Sequence, residues 1–274
     1  MDGIARINRE ITTREKAEGA SFTVPWLNLD VAAFTACRDG KGPLPSPYDN
    51  DPVDQLMMAG VNGKKVLLLA GGGGQQSAVF SLLGASVTVL DLTPGQLEGD
   101  ATASKHYGYP IELIEGDMRD LSCLHAAHFD RVYQPISTLY VPDLKTVYGG
   151  VFRVLKPGGL YFADYCFPGL YLAYDVRWDG EAYTLRIASP YRYGALYEDS
   201  GGKLSLSKGE FLGEFHHPLS DIINGLLESG FRLRGLWESP HPAARFDPEK
   251  LQPGTEEHKN QYIPFGISVV VEKG

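Results

Sequence analysis

The chain has 274 residues, 43% of them hydrophobic and 22% charged, and a formal net charge of −9. Such a composition buries a sizeable core, which excludes a mainly disordered chain, and the length suits one large α/β domain with an appendage or two small domains. The acidic balance, with no basic stretch denser than Arg232-Leu233-Arg234, argues against nucleic acid as a partner.

The first ten residues mix both charge signs and lack an apolar run, so they do not read as a signal peptide. The longest apolar runs, Val66 to Ala70 and Val269 to Val271, are strand-sized and far short of a membrane span, which predicts a soluble, cytoplasmic protein. Cys37, Cys123 and Cys166 stand far apart and match neither a disulfide framework nor a C-x-x-C metal site. Reduced thiols and no metal are expected.

Residues 1–61 show weak periodicity. Helices are predicted over Ile4 to Ala20 and Leu29 to Cys37, then a loop at Gly40 to Tyr48, where three prolines and two glycines cannot hold a helix. Asp51-Pro52 starts a short helix through Met58, with Pro in its first turn. This segment is read as a cap on the rest of the chain.

From Lys65 the pattern sharpens. Val66 to Ala70 reads as a strand buried on both faces, followed by four glycines and a helix over Gln76 to Leu83. Val87 to Asp91 is the second strand, Pro94 to Tyr107 a helix, and Ile111 to Glu115 the third strand. Arg131 to Gln134 is the fourth strand, Leu144 to Leu155 an amphipathic helix, and Leu160 to Asp164 the fifth strand. Strand–helix alternation of this length predicts an open, doubly wound parallel sheet with its ligand at the carboxyl ends of the strands.

The alternation stops after Asp164. Residues 166–212 carry Tyr171, Tyr174, Tyr183, Tyr191, Tyr193 and Tyr197, with turns at Trp178-Asp179-Gly180 and Ser200-Gly201-Gly202. Alternation over Ala182 to Ile187 suggests a small antiparallel excursion. A helix over Pro218 to Ser229 and strands over Phe231 to Trp237 and Gly266 to Val271 close the chain.

Three sites carry chemistry. Ala70-Gly71-Gly72-Gly73-Gly74-Gln75-Gln76 sits between a buried strand and a helix, where glycines let a ligand approach the main chain; a purely structural corner would look the same. Asp91, followed by Leu92, ends the second strand, where a carboxylate can accept both hydroxyls of a ribose or cap the next helix. Asp117 and Met118 follow the third strand, and offer an acceptor for an adenine amino group and a soft thioether surface for its ring, or a capped turn.

With Phe129-Asp130 opening the fourth strand and Leu155-Lys156-Pro157-Gly158-Gly159 before the fifth, this order resembles the class I S-adenosylmethionine (SAM) dependent methyltransferases of the small-molecule, methyltransferase-11-like kind. The resemblance covers roughly residues 62–165 and, more loosely, 213–274. It implies a Rossmann-like doubly wound sheet of seven strands in the order 3-2-1-4-5-7-6 with the last strand antiparallel. A SAM-binding domain over 62–274 would then carry 1–61 as a cap and 166–212 as a substrate-side insertion. It implies Gly71 to Gly74 under the methionine part and ribose, Asp91 on the ribose, Asp117 and Met118 on the adenine, and Gln134, Pro135 and Ile136 beside the sulfonium. Ala70, Gln75 and Gln76 would help to orient the methionine amine. The product would be S-adenosyl-L-homocysteine (SAH).

Two departures stand out. Leu68 takes the place of the family's usual acid, with Ala70 in the place of a glycine, and Leu139-Tyr140 replaces a common Glu-His pair. His216-His217, before Pro218, are the candidate general bases for an O–H or N–H acceptor, or else helix-cap or surface residues. Trp26, Tyr48, Asp164, Tyr165, Tyr191 and Tyr193 are candidate substrate contacts, the aromatic ones through their ring faces; core packing is the alternative for each tyrosine. The expected activity is methyl transfer to an O, N or S atom of a small molecule. A SAM-binding protein without transfer activity and an NAD(P) oxidoreductase are the alternatives; the second is disfavoured by Ser77 where the nucleotide fingerprint wants a third glycine.

Overall fold

The computed structural model describes residues 2–168, 173–187, 215, 217–239, 249 and 251–274. Strand β1 (Lys65–Leu69) lies at the centre of a sheet with β2 (Ser86–Asp91), β3 (Glu112–Glu115), β4 (Phe129–Gln134), β5 (Leu155–Cys166), β8 (Phe231–Ser239) and β9 (Gly266–Lys273). The order is β3-β2-β1-β4-β5-β9-β8. The first five strands run parallel, and β9 runs antiparallel to both β5 and β8. This is the expected order with one hairpin, β6 (Ala173–Trp178) and β7 (Tyr183–Ile187), standing apart as its own two-stranded sheet. Asp179 makes that hairpin's turn by accepting from the Glu181 and Ala182 N–H groups.

Side-chain alternation decides which face each helix covers. Leu67 and Leu69 of β1 point into a core shared with α6 (Leu144–Val154) and α7 (Leu219–Glu228), while Val66 and Leu68 point the other way, toward α2 (Val31–Arg38) and α4 (Gln76–Leu82). Helix α3 (Pro52–Met58) places Val53 and Met57 over Leu160, Phe162 and Val270. Each such aliphatic side chain, fully buried, stabilises the fold by about 1.5–3 kcal/mol.

Helix starts follow the aspartates. Asp30, Asp51 and Asp143 each accept a backbone N–H in the first turn of α2, α3 and α6. Asp2 does the same for α1 (Gly3–Ala17). That helix stops earlier than predicted because Gly19, at φ 75°, turns the chain into a single 3-10 turn at Ser21–Thr23. Helix α5 (Pro94–Tyr107) ends at left-handed Gly108. A last short helix, α8, spans Glu256–Lys259. Strand β5 begins earlier than predicted: Leu155 pairs with Phe129 and Leu160 with Arg131, so Lys156 to Gly159 bulge out between two paired positions.

Candidate active site

The carboxyl ends of β1, β2 and β4 converge on the glycine loop. Ala70 leaves β1 at φ 49°, in the left-handed region that a glycine would occupy without strain. The loop then runs against β4 and α5: a Cβ on Gly71 would meet the Pro135 ring at 3.1 Å, and one on Gly72 would meet the Gln96 Cβ at 2.6 Å. The Gly72 N–H donates to Asp91 Oδ2 at 3.0 Å and the Thr93 N–H to Asp91 Oδ1 at 2.8 Å. Each carboxylate oxygen therefore keeps acceptor capacity for a further donor. Burial pushes the Asp91 carboxyl up, against the pull of these two N–H groups. Leu92 is half-buried beside it.

After β3, Asp117 is engaged from within its own turn. Arg119 Nη2 donates to Asp117 Oδ2 at 2.5 Å and Nε to Oδ1 at 3.0 Å, while Nη1 reaches Asp2 Oδ2 at 2.6 Å. The guanidinium holds the Asp2 carboxyl down to about 2. Met118 is half-buried, and its sulfur accepts from Gln134 Nε2 at 3.2 Å. Gln134 is wholly buried and spends its other contacts inward, on Ser137 and Tyr161, while Ile136 is half-buried.

Residues 2–29 lie over this edge. Arg9 pairs with Glu115 at 2.7 Å, Asn8 donates to the Tyr140 carbonyl, and Lys16 binds the Gly95 carbonyl and Glu98. Gln75 Nε2 donates to the Ser21 and Val24 carbonyls at 2.8 and 3.0 Å, and the Trp26 N–H donates to the Gly74 carbonyl at 3.1 Å. Gln76, half-buried, opens α4 next to this contact.

The candidate acceptor residues fall into two groups. A recess at the ends of β4 and β5 is lined by Thr138, Leu139, Tyr165, Cys166, Phe215, His217 and Ile222. His217 is buried, with Nε2 2.9 Å from the Val141 carbonyl oxygen. A carbonyl only accepts, so Nε2 carries the hydrogen and Nδ1 is the basic nitrogen of the neutral ring. Tyr165 shares a 2.9 Å hydroxyl contact with Tyr148 inside the core, and Asp164 accepts from Ser268 at 2.7 Å. Neither Trp26 nor Tyr48 lines that recess: Tyr48 sits in the core on the opposite face of the sheet, its ring against Phe34, and Trp26 packs against that core while its N–H stays on the Gly74 carbonyl. His216, Tyr191 and Tyr193 lie outside the described residues.

Three contributors escaped the sequence reading: Gln96 and Asp100 on α5, and Arg119. Asp100 shares the buried side of its helix with Leu97 and Ala103, three residues away on either side, but no local pattern points to its partners. Gln96 is 6% exposed, and its Oε1 has no hydrogen-bond partner. An unsatisfied acceptor against the glycine turn, 3.4 Å from where a Gly73 Cβ would stand, suits a ligand that donates hydrogen bonds, as a ribose does.

A glycine turn after β1 and a carboxylate closing β2 of an open parallel sheet define a Rossmann-like nucleoside site. The profile of a family described as a methyltransferase domain matches residues 67–163. An uncharacterized methyltransferase, YbaJ, of Bacillus subtilis (strain 168) is 32% identical over 179 residues, 65% of this chain and 69% of its own length. The crystal structure of a SAM-dependent methyltransferase from Mesorhizobium loti superposes with a TM-score of 0.62 at 21% identity, over 82% of this chain and all of that one. Geranyl diphosphate C-methyltransferase from Streptomyces coelicolor A3(2), solved with SAH, gives 0.53 at 12% identity over 79% of this chain and 75% of that one. The chain belongs to the class I SAM-dependent methyltransferases, and SAM is its cofactor. The two alternatives that the sequence left open, a binding protein without transfer activity and an NAD(P) oxidoreductase, give way to that assignment. No described helix is long and apolar enough to cross a membrane, and no group of metal-ligating side chains occurs among the described residues.

Proposed function

We propose that the chain methylates an oxygen, nitrogen or sulfur atom of a small-molecule acceptor, with residues 1–61 as a cap over the cofactor edge and 166–212 as a substrate-side insertion. Bound SAM supplies a methyl group on a sulfonium with a neutral leaving group. What remains for the protein is to hold the acceptor in line, keep water out and receive a proton.

The observation that carries this reading is His217. It lies buried at the carboxyl ends of β4 and β5, in a recess otherwise lined by Thr138, Leu139, Tyr165, Cys166, Phe215 and Ile222. Its Nε2 lies 2.9 Å from the Val141 carbonyl, so Nε2 is the donor and Nδ1 the basic nitrogen of the neutral ring. The net charge of −9 disfavours a polyanionic acceptor. Gly71 to Gly74, Asp91 and Gln96 would hold the methionine part and ribose, with Met118 beside the adenine.

The test is turnover of labelled SAM with a panel of hydroxyl, amine and thiol metabolites, the product located by mass spectrometry and NMR. A methyl group on a heteroatom of a small acceptor is expected. Transfer only to carbon, or only to protein or nucleic acid, would overturn the reading.

A further inference from the structure

The glycine loop lacks the acid that the family resemblance would place at Leu68, yet a carboxylate reaches the loop from another direction. Asp100, on α5, is wholly buried. Its Oδ2 accepts the Gly73 N–H at 3.1 Å, a hydrogen shared with the Gln96 carbonyl at 3.1 Å, and its Oδ1 accepts the Gly74 N–H at 3.0 Å and the Ser77 hydroxyl at 2.5 Å. The preceding residue is shaped for the same contact. A Cβ on Gly99 would stand 2.6 Å from the Gly73 carbonyl oxygen, and one on Gly74 would stand 2.4 Å from the Gly99 carbonyl oxygen. Loop and helix therefore meet backbone to backbone, and only glycine on both sides permits it.

A wholly buried carboxylate is a costly way to join two elements. Burial pushes the Asp100 carboxyl up to about 7, with Asp91 adding to the rise and Ser77, Gly73 and Gly74 opposing it. The groups facing it are Asp91 at the end of β2, Ser77 on α4 and the Tyr109 hydroxyl just past α5. Its grip falls on one half of the loop, Gly73 and Gly74, while the other half, Gly71 and Gly72, stays turned toward Pro135, Asp91 and Gln96.

We propose that Asp100 is the positioning residue of the cofactor loop: with Gly99 it fixes Gly73 and Gly74 against α5, and so sets Gly71 and Gly72 opposite Asp91. This rests on the reading of Gly71 to Gly74 as the cofactor cradle. Asp100 does not touch the cofactor; it acts through the loop.

The experiment is SAH titration by calorimetry of the wild type, Asp100→Ala and Asp100→Asn between pH 6 and pH 8.5, with hydrogen exchange of the 71–78 backbone and thermal unfolding on the same samples. Asp100→Ala should weaken SAH binding about 10- to 100-fold, the scale of one charge-assisted bond lost, and should speed exchange in the loop while the sheet stays protected. Asn, which keeps one acceptor oxygen, should recover part of the affinity. Wild-type affinity should fall as pH drops through about 7, since protonation removes an acceptor, and the Asn variant should lack that step. Should Asp100→Ala fail to fold, Asp100→Asn decides alone. Wild-type affinity and an unaltered pH profile in the folded variant would overturn the proposal. A wild type that binds no SAH would overturn the cradle itself, and the proposal with it.

Discussion

The Tyr161 hydroxyl donates to the side-chain oxygen of Gln134 across 2.5 Å, between two side chains that are both wholly buried. This bond orients the Gln134 amide, so that its nitrogen faces Ser137 and Met118. Tyr161→Phe keeps the ring and strands the amide oxygen without a donor. Unfolding should become easier by about 1–3 kcal/mol, the desolvation cost of one orphaned acceptor. Denaturant titration measures it, and a loss below the error of the method would show that another donor takes over.

Asp91 joins the glycine loop to the end of β2 through the Gly72 N–H. Asp91→Ala should weaken SAH binding by about 1.5–3 kcal/mol, as for a charged acceptor removed from a pair of hydroxyls. Calorimetry on the folded variant is the check, and unchanged affinity would move the ribose elsewhere.

Ala70 adopts φ 49° while its N–H is held by the Leu90 carbonyl at 2.8 Å. Glycine tolerates that conformation, although it frees the unfolded chain. The strain outweighs the entropy, so Ala70→Gly should stabilise the protein by about 0.5–1 kcal/mol. A lower melting temperature for the variant would contradict this balance.

Asp100 makes stability depend on pH. Its folded-state carboxyl titrates near 7 against a usual 3.8. Between those values the folded chain binds the proton more tightly than the unfolded chain, so this group's contribution to stability falls as pH rises from about 4 to 7, then levels. Asp100→Asn cannot titrate. Its melting temperature, relative to wild type, should therefore improve by several degrees between pH 4 and pH 8. A constant difference across that range would show that Asp100 has an ordinary pKa.

His217→Gln should lower turnover of an O–H or N–H acceptor by about 10²–10⁴-fold, the range for a lost general base, while SAM affinity changes little. Steady-state kinetics with an acceptor identified in the metabolite panel gives the answer. Full turnover in the variant would leave alignment as the whole of catalysis.

The parallel half of the sheet is readable in the sequence because β1 and β2 are continuous apolar runs broken by glycine and proline, and such punctuation is local. Asp91 stands out for the same reason, as a charge closing an apolar strand. The role of Asp100 is not readable: its partners, Gly73, Gly74 and Ser77, lie a helix and a strand away, and nothing local to α5 announces them. Tyr48 and Trp26 read as acceptor contacts because aromatic residues suit a pocket. Packing instead sends them to the face occupied by Phe34 and Phe80, and no local pattern tells which face an outlying segment will cover. Arg119 is equally opaque, since its reach to Asp2 depends on where α1 comes to rest.

Strand β9 follows every other described strand in chain order, yet it lies between β5 and β8 and pairs with both. On a ribosome, β1 to β5 emerge and can pair while one edge of β5 still lacks its neighbour. That edge carries Tyr161, Ala163 and Tyr165, and it stays open until the segment Gly266–Lys273 has been made. A chain interrupted before Gly266 would present a bare, apolar strand to its surroundings, with β8 left without a partner in the sheet. Truncation ahead of this strand should therefore favour aggregation through the open β5 edge over a soluble folded sheet.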